Sequence, residues 1–115
     1  LGILGITTTL FLLIVGHAVA DFALQTPLMA KLKSRHNKPT EIPKGQKYVP
    51  TWGFWLSAHG LIHGGAVYFV TGSVWLGIAE TINHCLIDFI KCENITNPYV
   101  DQLLHYITKI FYVLL

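Results

Sequence analysis

The sequence predicts an all-α fold, a four-span transmembrane helix bundle with a polar His/Asp core in its cytoplasmic half, and three observations carry that prediction. Hydrophobic residues make up 52% of the 115 positions and charged residues only 12%, about half the charge of an ordinary soluble domain. Six of the eight lysines and arginines (Lys31, Lys33, Arg35, Lys38, Lys44 and Lys47) fall in one short stretch. Outside it the chain divides into four apolar runs, each long enough at ~1.5 Å per residue to cross about 30 Å of hydrocarbon. The expected spans are about 3–26, 51–71, 74–91 and 98–115, with a basic loop over 31–50, in a single integral membrane domain 1–115. Mean hydropathy is +0.50, so the chain is too apolar and too weakly charged for disorder. A net charge of +2 without a groove-sized cationic face excludes a nucleic-acid partner.

The first span lacks a basic leading segment and a small-residue cleavage site, so it is expected to be a retained helix and no signal peptide. Thr26-Pro27 reads as N-cap and first helical residue. It opens a short basic amphipathic helix over Pro27 to about Arg35, lying on the membrane. His36 to Pro50, with three prolines and a glycine, is loop. The positive-inside rule places that loop in the cytoplasm and both termini outside, in a bacterial inner membrane. Trp52 and Trp55 open the second span and Trp75 the third, at interface depths where indole is favoured. Gly72 suits the C-cap of the second span and Ser73 the N-cap of the third. Asn97-Pro98 opens the fourth as N-cap and N1. Asn94-Ile95-Thr96 matches the glycosylation pattern by chance, being cytoplasmic. Cys85 and Cys92 lie too far apart along one helix for a disulfide and read as small apolar fillers.

Five of the six histidines fall inside the apolar runs, where ionisable side chains are costly and functional by default. His17 and Asp21, His59 and His63, His84 and Asp88, and Asp101 and His105 are i, i+4 pairs, one on each span, so each pair shares a helix face. Counted from the cytoplasmic ends, Asp21, His84 and His105 lie about 10 Å deep, His59 about 12 Å, and His17 and His63 about 16–18 Å. Asp88 and Asp101 lie about 5 Å deep. Facing imidazoles and carboxylates at this spacing are how helix bundles build metal sites. The eight residues suffice for one or two divalent transition ions, with N/O ligation that suits Zn, Mn or Fe. The plainer readings are a hydrogen-bonded core that glues helices together, or a proton or ion pathway.

Glu80 and Lys109 lie at equal depth, about 16 Å from the cytoplasmic ends of their spans. They read as a buried ion pair or, with Glu80 as catalytic residue, as a general base that activates water at the metal. Lys91 neutralises Asp88 and Asp101, snorkels to the interface, or meets a substrate phosphate in a catalytic role. Gln25, Gln102 and Lys91 ring the cytoplasmic mouth as candidate substrate-binding residues.

His17-Ala-Val-Ala-Asp21-Phe-Ala-Leu-Gln25, Met29-Ala-Lys31, His59 with His63, His84-Cys-Leu-Ile-Asp88-Phe-Ile-Lys91 and Asp101-Gln-Leu-Leu-His105 resemble the domain-of-unknown-function 3307 family of bacterial and phage membrane proteins. The resemblance runs from His17 to His105. It implies the membrane topology and the importance of these positions, and carries no established activity.

The reading that best joins these features is a membrane-embedded, metal-dependent hydrolase acting on a lipid or phosphate ester from the cytoplasmic side. Its partners are the lipid bilayer, an amphiphilic substrate and, in a homo-oligomer, further copies of itself. The alternatives are a metal-ion or proton transporter or sensor, with Thr7, Thr8 and Thr9 as the main polar groups of the outer half, and an oligomeric scaffold. For the scaffold, Gly2, Gly5, Gly16, Gly60, Gly64 and Gly65 permit close helix contact.

Overall fold

The computed structural model describes residues 2–40 and 42–115. Leu1, which starts the first apolar run, and Glu41, the lone acid of the basic loop, lie outside the described residues. Four main helices form, each where an apolar run was expected. α1 (Ile3–Ala18) continues through a π-helical turn, Val19–Ala23, and is followed by the short α2 (Pro27–Leu32). The loop leads into α3 (Trp52–Thr71), α4 (Val74–Cys92) and α5 (Pro98–Leu114).

The expected caps are in place. The Thr26 and Ser73 side chains accept hydrogen bonds from the backbone N–H of Met29 and Leu76. Asn97 accepts from Tyr99 and Val100. Gly72 ends α3 at φ 70°, a left-handed conformation that glycine adopts without Cβ strain. α2 stops at Leu32, short of the expected Arg35. The backbone leaves the helix at Lys33, whose side chain turns inward to Asp88.

The main helices close a ring in which α1 packs on α3 and α5, and α4 on α3 and α5. The closest approach is α3 against α4, and glycine makes it possible. A Cβ on Gly64 would sit 2.0 Å from Thr81 Oγ1 and 2.5 Å from the Gly77 carbonyl oxygen; one on Gly60 would sit 2.4 Å from Cys85 Sγ. Gly60 and Gly64 therefore serve contact within the chain. Cys85 is a free thiol that fills this seam.

Along its axis the bundle has two interiors. At the Thr71–Val74 end, Leu13, Val67, Tyr112 and Val113 form an apolar core flanked by Ile6, Leu10, Val70, Leu76 and Ala79. Toward the loop end the interior turns polar: His17, Asp21, His59, His63, Glu80, His84, Asp88, Asp101, His105 and Lys109 are all buried. Among the described residues, twelve buried side chains are polar or charged and seven are hydrophobic, while Phe69, Trp75 and Phe11 stand 92%, 77% and 64% exposed. That distribution is the inverse of a water-soluble core.

One helix, the 21-residue stretch Ile3–Ala23, is by itself long and apolar enough to cross a membrane; four such spans were expected. The other three carry the polar core on their own faces, with His59 and His63 on α3, Glu80, Asp88 and Lys91 on α4, and Asp101 and Lys109 on the 17-residue α5. The residues that fill the interior are those that lower the apolar content of these helices.

Candidate metal centre

The π turn places the Asp21 side chain. Its wider ring is closed by the Leu24 N–H bonding to the Val19 carbonyl, five residues back. Gln25 then donates from its side chain, Nε2 to the Asp21 carbonyl oxygen at 3.1 Å. Gln25 thus fixes the turn that carries Asp21. Such single turns are frequent at functional sites.

The Asp21 carboxylate enters the bundle among imidazoles. Its Oδ1 lies 3.2 Å from His59 Nε2, 3.3 Å from His63 Nε2 and 3.9 Å from His84 Nε2. The His59 and His84 Nε2 atoms are 3.0 Å apart. Two ring lone pairs at that distance repel unless a proton or a cation sits against them. Asp21 Oδ1 and His63 Nε2 make no hydrogen bond at all, although buried polar atoms are rarely left without one. Four donors held by bonds of about 2.1 Å to one tetrahedral ion stand about 3.4 Å from one another. The spacing of this group brackets that value, so the residues present fit a metal ion.

Charge points to the same place. Glu80 is paired with Lys109 at 2.6 Å, Asp88 with Lys33 at 2.5 Å and Lys91 at 3.0 Å, and Asp101 with Lys91 at 3.3 Å. Among the described residues, Asp21 is the buried carboxylate with no lysine or arginine partner. Its other oxygen accepts from Gln102 Nε2 at 2.8 Å.

Two further groups adjoin the first. His17, His84 and His105 form one, and Asp88, Asp101 and His105 the other, with each group's ligand atoms within 4.8 Å of one another. The rings of His63 and His84 stack at 3.5 Å between centroids and those of His84 and His105 at 4.1 Å. All eight residues singled out by the i, i+4 pattern thus meet in one buried cluster.

The remaining site candidates sit as follows. Gln102 lies within the cluster rather than at its rim, bonded to Asp21 and accepting from His17 Nε2 at 3.0 Å. Lys91 bridges Asp88 and Asp101, the first of its three expected placements. Glu80 forms the expected ion pair and also reaches His84 Nδ1 at 3.4 Å. Lys33, read as one cation of the basic stretch and of the surface helix expected over Pro27 to Arg35, is instead buried on Asp88. The signal that marks it is arithmetic: two carboxylates at the mouth, Asp88 and Asp101, face Lys91 alone. The π turn left no such signal, since His17, Asp21 and Gln25 sit at ordinary helical spacing.

Outside the bundle, Glu93 at the end of α4 is clasped by His36 and Arg35. The His36 ring, with the Arg35 guanidinium beside it, holds the Glu93 carboxyl below the usual carboxylate range.

Residues 9–115, which include the whole cluster, match the family described as Protein of unknown function (DUF3307). The chain belongs to the DUF3307 family. No curated protein and no solved structure matches it. Every ligand-type residue of this DUF3307 chain lies inside the matched segment, so the cluster lies within the family's shared region.

Proposed function

We propose that this chain is a membrane-embedded metalloprotein that binds a divalent transition ion (Zn, Mn or Fe) through Asp21, His59, His63 and His84. We further propose that it hydrolyses a lipid or phosphate-ester substrate reached from the loop side. The observation that carries the metal reading is the solitary Asp21 carboxylate, buried among three Nε2 atoms within 3.9 Å and without a lysine.

Membrane embedding rests on the inverted burial pattern. The large apolar side chains that cover the bundle are stable in hydrocarbon, and the buried polar groups are those that hydrocarbon would penalise. On this reading all four main helices span the bilayer, and the positive-inside rule puts the basic loop in the cytoplasm. The 20 residues of α3 rise about 30 Å, one hydrocarbon thickness.

A divalent ion supplies Lewis acidity, polarising the bond under attack and acidifying water. The chain supplies the rest. Gln102 orients Asp21 and His17, and Gln25 holds the π turn. Glu80 Oε1 stands 3.4 Å from His84 Nδ1, the nitrogen opposite the ligand atom, in place to accept a hydrogen bond when that nitrogen carries the ring proton. Outer partners of this kind orient metal-binding histidines. The Leu13–Val67–Tyr112–Val113 layer closes the far end of the interior, which favours a one-sided site over a transport path.

The test is hydrolysis of phospholipids, polyprenyl phosphates and soluble phosphate esters by protein reconstituted with Zn, Mn or Fe. Phosphate release that disappears in His84→Ala and Asp21→Asn, with helicity retained, is the expected result. Metal-loaded protein inert toward all three classes would refute the hydrolase while leaving the metal centre standing.

A further inference from the structure

Asp88, Asp101 and His105 make a second set of ligand atoms, within 4.8 Å of one another, and it differs from the Asp21 set in one respect. Lysines already fill it. Lys33 Nζ lies 2.5 Å from Asp88 Oδ2, and Lys91 Nζ lies 3.0 Å from Asp88 Oδ1 and 3.3 Å from Asp101 Oδ2. Two ammonium groups balance two carboxylates, which is the charge of one divalent ion. His105 is fully buried, its Nε2 is 3.5 Å from Asp101 Oδ1, and neither of its ring nitrogens has a hydrogen-bond partner. An imidazole with nothing to bind, aimed at a carboxylate oxygen that also lacks a hydrogen bond, is the mark of a ligand position.

We propose that Asp88, Asp101 and His105 are a second divalent-cation site held shut by Lys33 and Lys91, a proposal that rests on the metal reading of the Asp21 set. The native chain therefore binds one ion. The second enters only when the ammonium groups leave. Lys33 lies at the end of α2, so opening this site removes one tie of that segment to the bundle, while the buried Leu32 remains. Of the two locks Lys33 is the tighter, being 4% exposed where Lys91 is 24% exposed.

The experiment is the ion count per chain, by elemental analysis after equilibration with Mn(II) or Zn(II), of the full chain and of Lys33→Gln/Lys91→Gln. One ion in the native chain and two in the double variant is the expected result, with His105→Ala in the double-variant background returning the count to one. One ion in both proteins overturns the second site and leaves the first intact. Two in the native chain overturns the lock. None in either removes the Asp21 centre and this proposal with it. If the double variant fails to fold in the presence of a chelator, the readout is its refolding on addition of Mn(II) or Zn(II), because an ion in this site replaces the two missing positive charges on Asp88 and Asp101. Refolding with two ions per chain is expected, and failure to refold with either metal overturns the proposal.

Discussion

Lys109 is among the largest fully buried side chains, 1% exposed, and its ammonium meets Glu80 Oε1 at 2.6 Å. Removing one partner of such a pair leaves an uncompensated charge where water cannot reach it, at a cost of about 3–5 kcal/mol. Replacing both by uncharged groups of similar volume is neutral or stabilising. Lys109→Ala is therefore expected to lower stability by about that amount, and Lys109→Met with Glu80→Gln to recover most of it. Thermal or denaturant unfolding in detergent checks both. This pairing could be read from sequence, because equal depth on two helices brings the charges together. The Lys33–Asp88 pair could not be read so directly, since it depends on where the backbone turns after α2.

At the scale of elements, α3 and α4 are locked by small residues in register. Gly64→Ala drives a methyl group into Thr81 and the Gly77 carbonyl, and overpacking of this kind costs about 1–3 kcal/mol. Gly65→Ala, where nothing lies within 4 Å of the new Cβ, is expected to be neutral or slightly stabilising through helix propensity. Melting midpoints of the two variants test the contrast. Spacing alone counts Gly64 and Gly65 as equals; only the helix-pair geometry separates them. The helix ends, by contrast, were readable from Thr26, Gly72, Ser73 and Asn97, whose side chains or φ preferences act locally.

The loop is tied to the bundle through Glu93, which joins Arg35 and His36 to the end of α4. Its carboxyl is held below its ordinary value of 4.5 in the folded protein. The clasp therefore contributes in full above that value and is lost as pH falls through the lowered one. The protection factors of the amides of residues 33–38, with the intrinsic pH dependence of exchange divided out, are expected to fall on acidification in that window. Glu93→Gln should remove the pH dependence; an unchanged profile in that variant would assign it to another group.

For the whole molecule, the order of polarity along the axis is what the sequence showed best. Three His/Asp pairs and one His/His pair at matched depth on four separate runs were expected to form one buried cluster under the four-span topology, and the eight side chains meet in the structure. What only the structure reveals is the division of labour inside the cluster: which carboxylates are neutralised by lysine and which one is not. The membrane reading makes its own prediction. With Cys85 and Cys92 replaced by Ala, a cysteine at Gly45 should react with an impermeant maleimide only from the cytoplasmic side, and one at Val74 only from outside. Labelling of both from one side would refute the four-span topology.

The measurement closest to the central claim is the metal content of the detergent-purified chain, beside His59→Ala and His84→Ala. One transition-metal ion per chain in the native protein, lost in both variants with helicity intact, is the predicted result. No bound metal after reconstitution with Zn, Mn and Fe would contradict the account, and the buried histidines and carboxylates would then be a hydrogen-bonded core alone.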